Sequence, residues 1–125
     1  MWKAIFAAFA VAAVLKLFVF DVVVADGNSM EPTIRSGSVL VVNRLRYGLR
    51  LPGRGGHLVR WASPAEGDVV VFFAPSGGLA VKRAAGPAED GFFTAKGDNP
   101  SLSRDSRCFG PVSVDAVIGR VLGAR

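Results

Sequence analysis

The feature that most constrains this chain is an apolar run at its N-terminus. Residues 4–15 are apolar without interruption, Lys16 breaks the run, and residues 17–20 resume it. As a helix of about 17 residues, at about 1.5 Å per residue, the run is about 25 Å long, the short end of what spans a bilayer. We therefore expect residues 1–20 to form one transmembrane helix, with Lys3 on the cytoplasmic side and the Lys16 side chain reaching toward the lipid head groups.

Two other interpretations of this run stay open. One is a cleaved signal peptide, in which residues 4–15 are the apolar region and Val23 and Ala25 are the small residues before the cleavage site. The charge of Lys16 counts against it, because the stretch before a cleavage site is usually uncharged. The other is a helix buried in a soluble core. As a membrane anchor or as a signal peptide, the run leaves residues 21–125 outside the cytoplasm.

The remainder of the chain, residues 21–125, has the pattern of a β domain. The chain is 50% hydrophobic, with 15 Gly and 7 Pro among 125 residues, and its length favours one domain. Short runs rich in Val and Phe are separated by Gly, Pro, Asn and Asp, as is typical of strands. They are residues 22–25, 39–42, 69–73, 79–81, 92–94 and 116–122. We expect a mainly β fold, either a small antiparallel barrel or a folded-over sheet.

The net charge of +5 is confined to one segment. Residues 31–60 hold six Arg and one Glu, whereas the other basic and acidic residues cancel. Over residues 44–64 the arginines are interleaved with apolar residues such as Tyr47 and Trp61, which indicates an extended arm or a long hairpin loop. One hypothesis places this arm on a lipid surface, where each basic residue near anionic lipid contributes about 1 kcal/mol; the other is a solvated hairpin. Nucleic acid is not an expected partner, because the domain faces away from the cytoplasm.

The chain holds one Cys and one His. This composition excludes an internal disulfide and a Cys-based zinc site, and we expect neither a metal nor a cofactor. Cys108 is expected to be a small packed residue. His57 lies in a loop rich in Gly and Arg, and we expect it to be solvated rather than to act as a catalytic base.

Residues 27–33 follow the first predicted strand and contain a serine in a turn. Gly27 permits a tight turn and Pro32 stiffens its exit, so the hydroxyl of Ser29 is presented at the end of the strand. Such a hydroxyl is a candidate nucleophile, although an ordinary polar turn has the same composition.

A serine nucleophile needs a base, and a buried lysine is one candidate. Lys82 lies near the end of a mostly apolar strand over residues 78–83. Burial disfavours the ammonium form and lowers the pKa of a lysine, which leaves a neutral amine that can accept a proton. The alternative is a strand-edge lysine with its charged end in water.

A third segment, residues 97–110, is dense in turn-forming residues and hydroxyls. Asp105 and Arg107 are spaced to pair within a tight turn. The segment is either part of a site or a structural loop held by hydrogen bonds from side chains to the backbone. Its aspartates lack the spacing of a calcium loop.

Together, and in this order behind an apolar N-terminus, these motifs resemble the type I signal peptidases, which are membrane-anchored serine proteases with a Ser/Lys dyad. The resemblance covers nearly the whole chain. The matching positions are residues 29–33, 67–72, 81–83 with Gly86 and Pro87, 97–99, Ser103, 105–107 and Gly110.

The resemblance implies a role for some of the matched side chains. Ser29 is the nucleophile, Lys82 is the general base, and Ser103 orients the lysine. The positions expected to support the site are Asp98, Asp105 and Arg107, the last two as a pair.

The resemblance also implies the substrate and the location. The substrates are secretory preproteins whose signal peptides carry small residues at −1 and −3, and the partner surface is a phospholipid membrane. The expected location is an inner membrane, with a single pass and the catalytic domain on the extracytoplasmic side. Met30 and Val81, next to Ser29 and Lys82 in the chain, are expected to line the pocket for residue −1.

Some positions depart from the family pattern. Residues 37–38 read Gly-Ser where the nucleophile motif usually continues with Gly-Asp, and residues 87–90 lack the second glycine of the lysine motif. Gly27 stands where some members carry a serine that donates to the oxyanion, so the backbone N–H of Ser29 is the expected donor. Residues 84–96 are too few for the second domain of larger members, which indicates a minimal catalytic core.

Two other functions stay open on the sequence alone. A non-catalytic exported β domain that binds envelope partners needs no contact between Ser29 and Lys82, so a contact between the two would count against it. A specialised Ser/Lys processing peptidase, of the pilus, conjugation or mitochondrial inner membrane type, differs from a general signal peptidase in its substrates.

Overall fold

The computed structural model describes residues 1–15, 19–50, 56–75 and 77–123. Helices and strands alternate with short turns in these ranges. They are α1 (Trp2–Val14), β1 (Phe20–Val24), β2 (Val39–Asn43), β3 (Gly48–Leu49), β4 (Val59–Arg60), β5 (Val69–Phe73), β6 (Leu79–Ala84), β7 (Phe92–Phe93), β8 (Ala95–Lys96), α2 (Ser106–Phe109), β9 (Val112–Ser113) and β10 (Val117–Val121), with 3-10 turns at Pro100–Leu102 and Val114–Ala116.

Helix α1 is built mainly from Ala, Val and Phe, and none of its side chains is buried. The ring of Trp2 meets the ring of Phe6 edge-on, with 5.6 Å between the centroids. Within the described ranges, no helix has both the length and the apolar character that crossing a membrane requires. Lys16, with residues 17 and 18 of the predicted membrane segment, lies outside the described residues.

Six strands form one sheet in the order β1-β2-β10-β5-β6-β8, and every neighbouring pair is antiparallel. The predicted mainly β, antiparallel fold is therefore confirmed. Two ribbons, β3–β4 and β7–β9, lie beside the sheet. The outer strands β1 and β8 do not pair with each other in the described residues. Of the two expected forms, the closed barrel is thus not found in these residues.

Strand β5 lies at the centre of the hydrophobic core. Val69 and Val71 belong to one buried cluster, and Val70 and Phe72 belong to the other. All four are completely buried. Successive side chains of a strand point to opposite faces, so both faces of the sheet are covered at β5. This explains why β5 is a continuous apolar run without polar alternation.

The predicted arm over residues 44–64 contains the β3–β4 ribbon, in which Leu49 lies opposite Val59. Residues 51–55 of this arm lie outside the described residues. Part of the arm is apolar and exposed to solvent, namely Leu58, Val59 and Trp61.

The base of the arm is packed into the domain. Tyr47 is 1% exposed and donates a hydrogen bond to Oδ2 of Asp68 at 2.7 Å. Burial, reinforced by this hydrogen bond, raises the pKa of Tyr47. Arg50 is 2% exposed and donates to the Val117 carbonyl at 2.9 Å. Tyr47, one of the side chains that suggested a lipid-facing arm, therefore belongs to the core.

The imidazole of His57 is buried, and the expectation that it is solvated is wrong. Its side chain is 2% exposed, and its Nδ1 lies 3.7 Å from Oδ1 of Asp115. The ring packs against the backbone of Gly48, where a Cβ would lie only 3.0 Å from the ring. A glycine in the facing strand thus makes room for the imidazole. Burial lowers the pKa of His57 and the positive charge of Arg50 lowers it further, while Asp115 opposes both.

The buried imidazole predicts a specific pH dependence of stability. The pKa of His57 lies below its ordinary value of 6.5 in the folded state. The unfolded chain therefore binds more protons than the folded chain as the pH falls below about 6.5, and stability is lost in that direction. His57→Gln should remove this contribution, so its unfolding free energy should fall less than that of the wild type between about pH 7 and pH 5.

Urea unfolding of the full chain in mild detergent measures this difference. His57 is the single histidine of the chain, so no other imidazole contributes. Equal falls in the two proteins would contradict the burial of a neutral His57.

Candidate active site

Ser29 lies in the turn that follows β1. Gly27, at φ +89°, adopts the left-handed backbone conformation that glycine permits and other residues rarely adopt. Met30 is 3% exposed and Ile34 is 5% exposed, so the turn is anchored in the core just after the serine. These anchors hold Ser29 half-buried at the end of the strand.

Lys82 lies on β6, opposite the completely buried Val70 of β5. Its Nζ donates a hydrogen bond to Oγ of Ser29 at 2.6 Å. Lys82 is 6% exposed. Burial lowers its pKa from the ordinary value of 10.5, while the negative charge of Asp105 opposes the shift. The fold therefore brings together two residues that lie 53 positions apart in the chain.

The carboxylate of Asp105 is completely buried and accepts hydrogen bonds on both oxygens. Arg107 donates to it through Nε and Nη2, both at 2.9 Å, and the backbone N–H of Gly97 donates at 2.8 Å. Burial by itself would raise the pKa of Asp105, but these hydrogen bonds outweigh burial and hold the pKa well below its ordinary value. Asp105 is therefore a carboxylate at neutral pH, and it is paired with Arg107.

Ser103 lies next to this carboxylate and donates its hydroxyl hydrogen to Oδ2 of Asp105 at 2.8 Å. In the described part of the chain no hydrogen bond joins Ser103 to Lys82. Gly97 lies between Ser103 and the Ser29 backbone, and a Cβ at position 97 would collide with the Ser103 side chain and with the Ser29 carbonyl. The missing side chain thus lets the two segments approach. The orientation of the lysine by Ser103 stays a prediction.

Arg83 follows the lysine on β6 and holds the facing loop. Its Nε and Nη2 donate to the two carboxylate oxygens of Asp98 at 2.9 and 2.8 Å, and its Nη1 donates to the Gly67 carbonyl at 3.0 Å. The hydrogen bond from Arg83 lowers the pKa of Asp98. The backbone N–H of Asp98 in turn contacts Sδ of Met30 at 3.4 Å. This bidentate pair ties the strand that carries the lysine to the loop at Asp98, and the contact with Met30 ties that loop to the turn that carries the serine.

Sequence reasoning named Asp98 as a support and missed its partner. Arg83 stands in the same matched motif as Lys82, directly after it. A half-buried guanidinium on a strand that other residues cover needs a carboxylate partner. This requirement is the signal in the sequence by which the pair of Arg83 and Asp98 could have been found.

Asn99 holds the backbone on both sides of Ser29. Its backbone N–H donates to the Ser29 carbonyl at 2.8 Å, and its side-chain Nδ2 donates to the Asn28 carbonyl at 3.0 Å. Sequence reasoning missed this residue as well. An Asn in a turn-rich segment usually caps its own turn, and nothing in the sequence links position 99 to position 28.

A cavity of about 250 Å³ lies beside Ser29 and Lys82, between the end of β1 and the start of β6. Its lining is mostly Val, Ala, Leu, Ile and Met, and it includes both predicted pocket residues, Met30 and Val81. Strand β6 pairs with β8 only at its C-terminal end. In the described residues, the part of β6 along the cavity therefore has an unpaired backbone edge.

Two further expectations concern sulfur and metal ligands. Cys108 is exposed, so the expectation that it is packed is wrong. It lies on α2, a helix of 4 residues that has no buried side chain. Among the described residues, no three His, Cys, Asp or Glu side chains come close enough to hold a metal ion.

The sequence was compared with models of known families. The model described as signal peptidase, peptidase S26, matches residues 1–92. The chain belongs to the signal peptidase family S26. The resemblance drawn from the motifs is thereby confirmed at the level of the family. The matched range includes Ser29 and Lys82 and ends before the loop over residues 97–110.

Individual signal peptidases are similar over different shares of their length. Signal peptidase I of Haemophilus influenzae is 29% identical over 118 residues, which are 94% of this chain and 32% of that protein. Signal peptidase I of Bacillus caldolyticus is 40% identical over 81 residues, 65% of this chain and 38% of that protein. Mitochondrial inner membrane protease subunit 1 of Xenopus tropicalis is 32% identical over 117 residues, 83% of this chain and 68% of that protein. The chain thus spans well under half the length of these two signal peptidases I.

Proposed function

We propose that this member of the signal peptidase family is a membrane-bound serine endopeptidase that removes signal peptides from secretory preproteins. Ser29 is the nucleophile and Lys82 is the general base. The observation that carries the proposal is the 2.6 Å hydrogen bond between Nζ of Lys82 and Oγ of Ser29, made by a lysine that is 6% exposed. A non-catalytic β domain has no need of this contact.

The proposed reaction begins with a neutral Lys82. Its amine takes the proton of the Ser29 hydroxyl while Oγ attacks the carbonyl carbon of the scissile peptide bond. The negative charge that develops on the carbonyl oxygen is stabilised by the backbone N–H of Ser29. The protonated lysine then gives its proton to the leaving amine, which becomes the N-terminus of the mature protein, and the signal peptide stays attached to Ser29 as an ester.

Hydrolysis of this ester repeats the same steps with water. Lys82 takes a proton from the water that attacks the ester carbonyl, and it returns the proton to Oγ of Ser29 as the signal peptide leaves. Ser103, which is hydrogen-bonded to the carboxylate of Asp105, is proposed to orient the lysine amine from the side of the loop.

The shape of the cavity supports a substrate with small side chains at −1 and −3. A cavity of about 250 Å³, most of whose lining residues are apolar, accommodates residues such as Ala next to the dyad. An extended peptide pairs with unpaired strand edges through its backbone, and the edge of β6 beside the cavity is of this kind. Met30 and Val81 form part of the wall against which residue −1 packs.

The apolar N-terminus supports a membrane location. Helix α1 has no buried side chain, so its Val and Phe side chains need another cover, and lipid provides it. We propose that residues 1–20 anchor the chain, with Lys3 on the cytoplasmic side and residues 21–125 on the extracytoplasmic side.

A narrower substrate range is a second candidate. The chain covers 68% of the Xenopus tropicalis mitochondrial inner membrane protease subunit 1 but 32% of the Haemophilus influenzae signal peptidase I. The chemistry is the same in both cases. Cleavage of several unrelated preproteins supports a general signal peptidase, and cleavage of one supports a specialised one.

The dyad is tested by removing each partner. Ser29→Ala and Lys82→Met should each lower the rate of preprotein cleavage by about 10³-fold or more, because nucleophile and base act as a unit. Methionine fills the space of the buried lysine stem without an amine. The controls are Ser38→Ala, between the same turn and β2, and Lys96→Gln, an exposed lysine on β8; both should cleave as the wild type does. Wild-type cleavage by either dyad variant removes the assignment.

The pH profile tests the state of Lys82. Burial lowers its pKa below 10.5, and only the neutral amine acts as a base. Activity should therefore be present above the lowered pKa and should fall as the pH drops through it. The acid limb of kcat/KM, measured on the full chain, should keep its position in Lys96→Gln. A flat profile down to acid pH contradicts the assignment of Lys82.

The lipid contact of the arm is tested with the fluorescence of Trp61. The chain has two Trp, so Trp2→Phe leaves Trp61 as the only reporter. Reconstituted in vesicles that contain anionic lipid, Trp61 should be quenched by lipids brominated near the head group, and less so after Arg46→Gln. Trp61 emission that brominated lipid does not quench, and that aqueous iodide quenches fully, indicates a solvated hairpin instead.

A further inference from the structure

The peptide bond between Asn28 and Ser29 carries the N–H that the proposed mechanism needs. Within the described part of the chain this N–H donates to no acceptor, whereas the Asn28 carbonyl of the same peptide accepts two hydrogen bonds. They come from the backbone N–H of Glu31 at 3.2 Å and from Nδ2 of Asn99 at 3.0 Å. In a planar trans peptide the N–H and C=O point in opposite directions, so any group that fixes the Asn28 carbonyl also fixes the Ser29 N–H.

The next peptide bond is held by the same residue. The backbone N–H of Asn99 donates to the Ser29 carbonyl at 2.8 Å. Asn99 thus holds both peptide planes that flank the Cα of Ser29. Its own position is fixed in turn, because the preceding residue, Asp98, is paired through both carboxylate oxygens with Arg83.

The partners of the Asn99 side chain define its orientation. A carbonyl only accepts hydrogen bonds, so the group that faces Asn28 is the NH2 group, and Oδ1 accepts from the Ser101 hydroxyl at 3.2 Å. An aspartate at position 99 keeps the shape and the backbone N–H. It replaces the donor with an oxygen that repels the Asn28 carbonyl.

We propose that Asn99 is the positioning residue of the oxyanion hole. Its side-chain amide holds the Asn28 carbonyl and thereby aims the Ser29 N–H at the carbonyl oxygen of the bound substrate. This inference rests on the proposed function of Ser29. A donor that is already oriented acts on the charge that develops in the transition state and contributes little to the binding of the uncleaved peptide. Asn99 itself touches no substrate.

The test compares Asn99→Asp with Asn43→Asp in the full chain in detergent. Oδ1 of Asn43 accepts from the Leu45 N–H at 3.0 Å, a hydrogen bond that aspartate also makes, so the control adds the same charge and keeps this hydrogen bond. Asn99→Asp should lower kcat about 10- to 100-fold and leave KM within about twofold, and the control should change neither. Asn99→Ser, which removes the amide without adding a charge, should also lower kcat and leave KM unchanged.

A second measurement uses a peptide aldehyde of the substrate sequence, to which Ser29 Oγ adds to form a tetrahedral hemiacetal. Its affinity should fall by about the same factor as kcat, and binding of the uncleaved peptide to a Ser29→Ala background should not change. In Asn99→Ser, which adds no charge, the acid limb of the pH profile should stay in place, because Lys82 is not affected.

Three results would overturn the proposal. They are an unchanged kcat, a rise in KM alone, which makes Asn99 part of the substrate wall, and a shifted acid limb in the uncharged variant Asn99→Ser, which makes Asn99 act through Lys82. Failure of the proposed function is a separate outcome, since it appears as wild-type cleavage by Ser29→Ala or Lys82→Met.

Discussion

A lysine amine 2.6 Å from a serine hydroxyl, almost closed off from water, sets the requirements for the structure around it. Strands β1 and β6 are four places apart in the sheet, yet the turn after β1 meets a side chain of β6. The sheet therefore curls around the cavity. The shift in register between β10 and β5 fits this curvature, because a bulge increases the local twist. Gly119, at the shift, also lets the Asn43 carbonyl approach β10 more closely than a side chain would permit.

The electrostatics of the site depend on a balance between burial and one negative charge. Burial favours the neutral form of Lys82, and the carboxylate of Asp105 favours the ammonium form. Arg107 partly neutralises that carboxylate, and Gly97 and Ser103 also donate hydrogen bonds to it. The carboxylate thus organises the loop over residues 97–110 while its effect on the lysine stays smaller than that of burial. The net result is a lowered lysine pKa, as a general base requires.

Much of the fold, and the contact between Ser29 and Lys82, were predictable from the sequence, but for different reasons. The strands follow from short Val- and Phe-rich runs between turn residues, and the pairing of Ser29 with Lys82 is what the resemblance of the motifs to the type I signal peptidases implies. The strand order, with β10 between β2 and β5, depends on contacts between residues that are far apart in the chain. No short stretch of the sequence therefore indicates it. The burial of His57 depends on a glycine in the facing strand, and the contacts of Asn99 depend on the approach of two loops. Local composition describes such residues as solvated or as turn-forming, which is why these predictions were wrong or missing.

Strand β6 carries both the proposed base and the group that positions the nucleophile. Adjacent side chains of a strand point to opposite sides, so Lys82 reaches the Ser29 hydroxyl while Arg83 holds Asp98. Asp98 precedes Asn99, which holds the carbonyls next to Ser29. The Lys82 amine and the Ser29 backbone are therefore both linked to β6, the first directly and the second through Asp98 and Asn99. Lys82 and Ser29 are thus joined by a closed circuit of hydrogen bonds and chain links through one strand and one loop, and the proposed effect of Asn99 depends on this circuit.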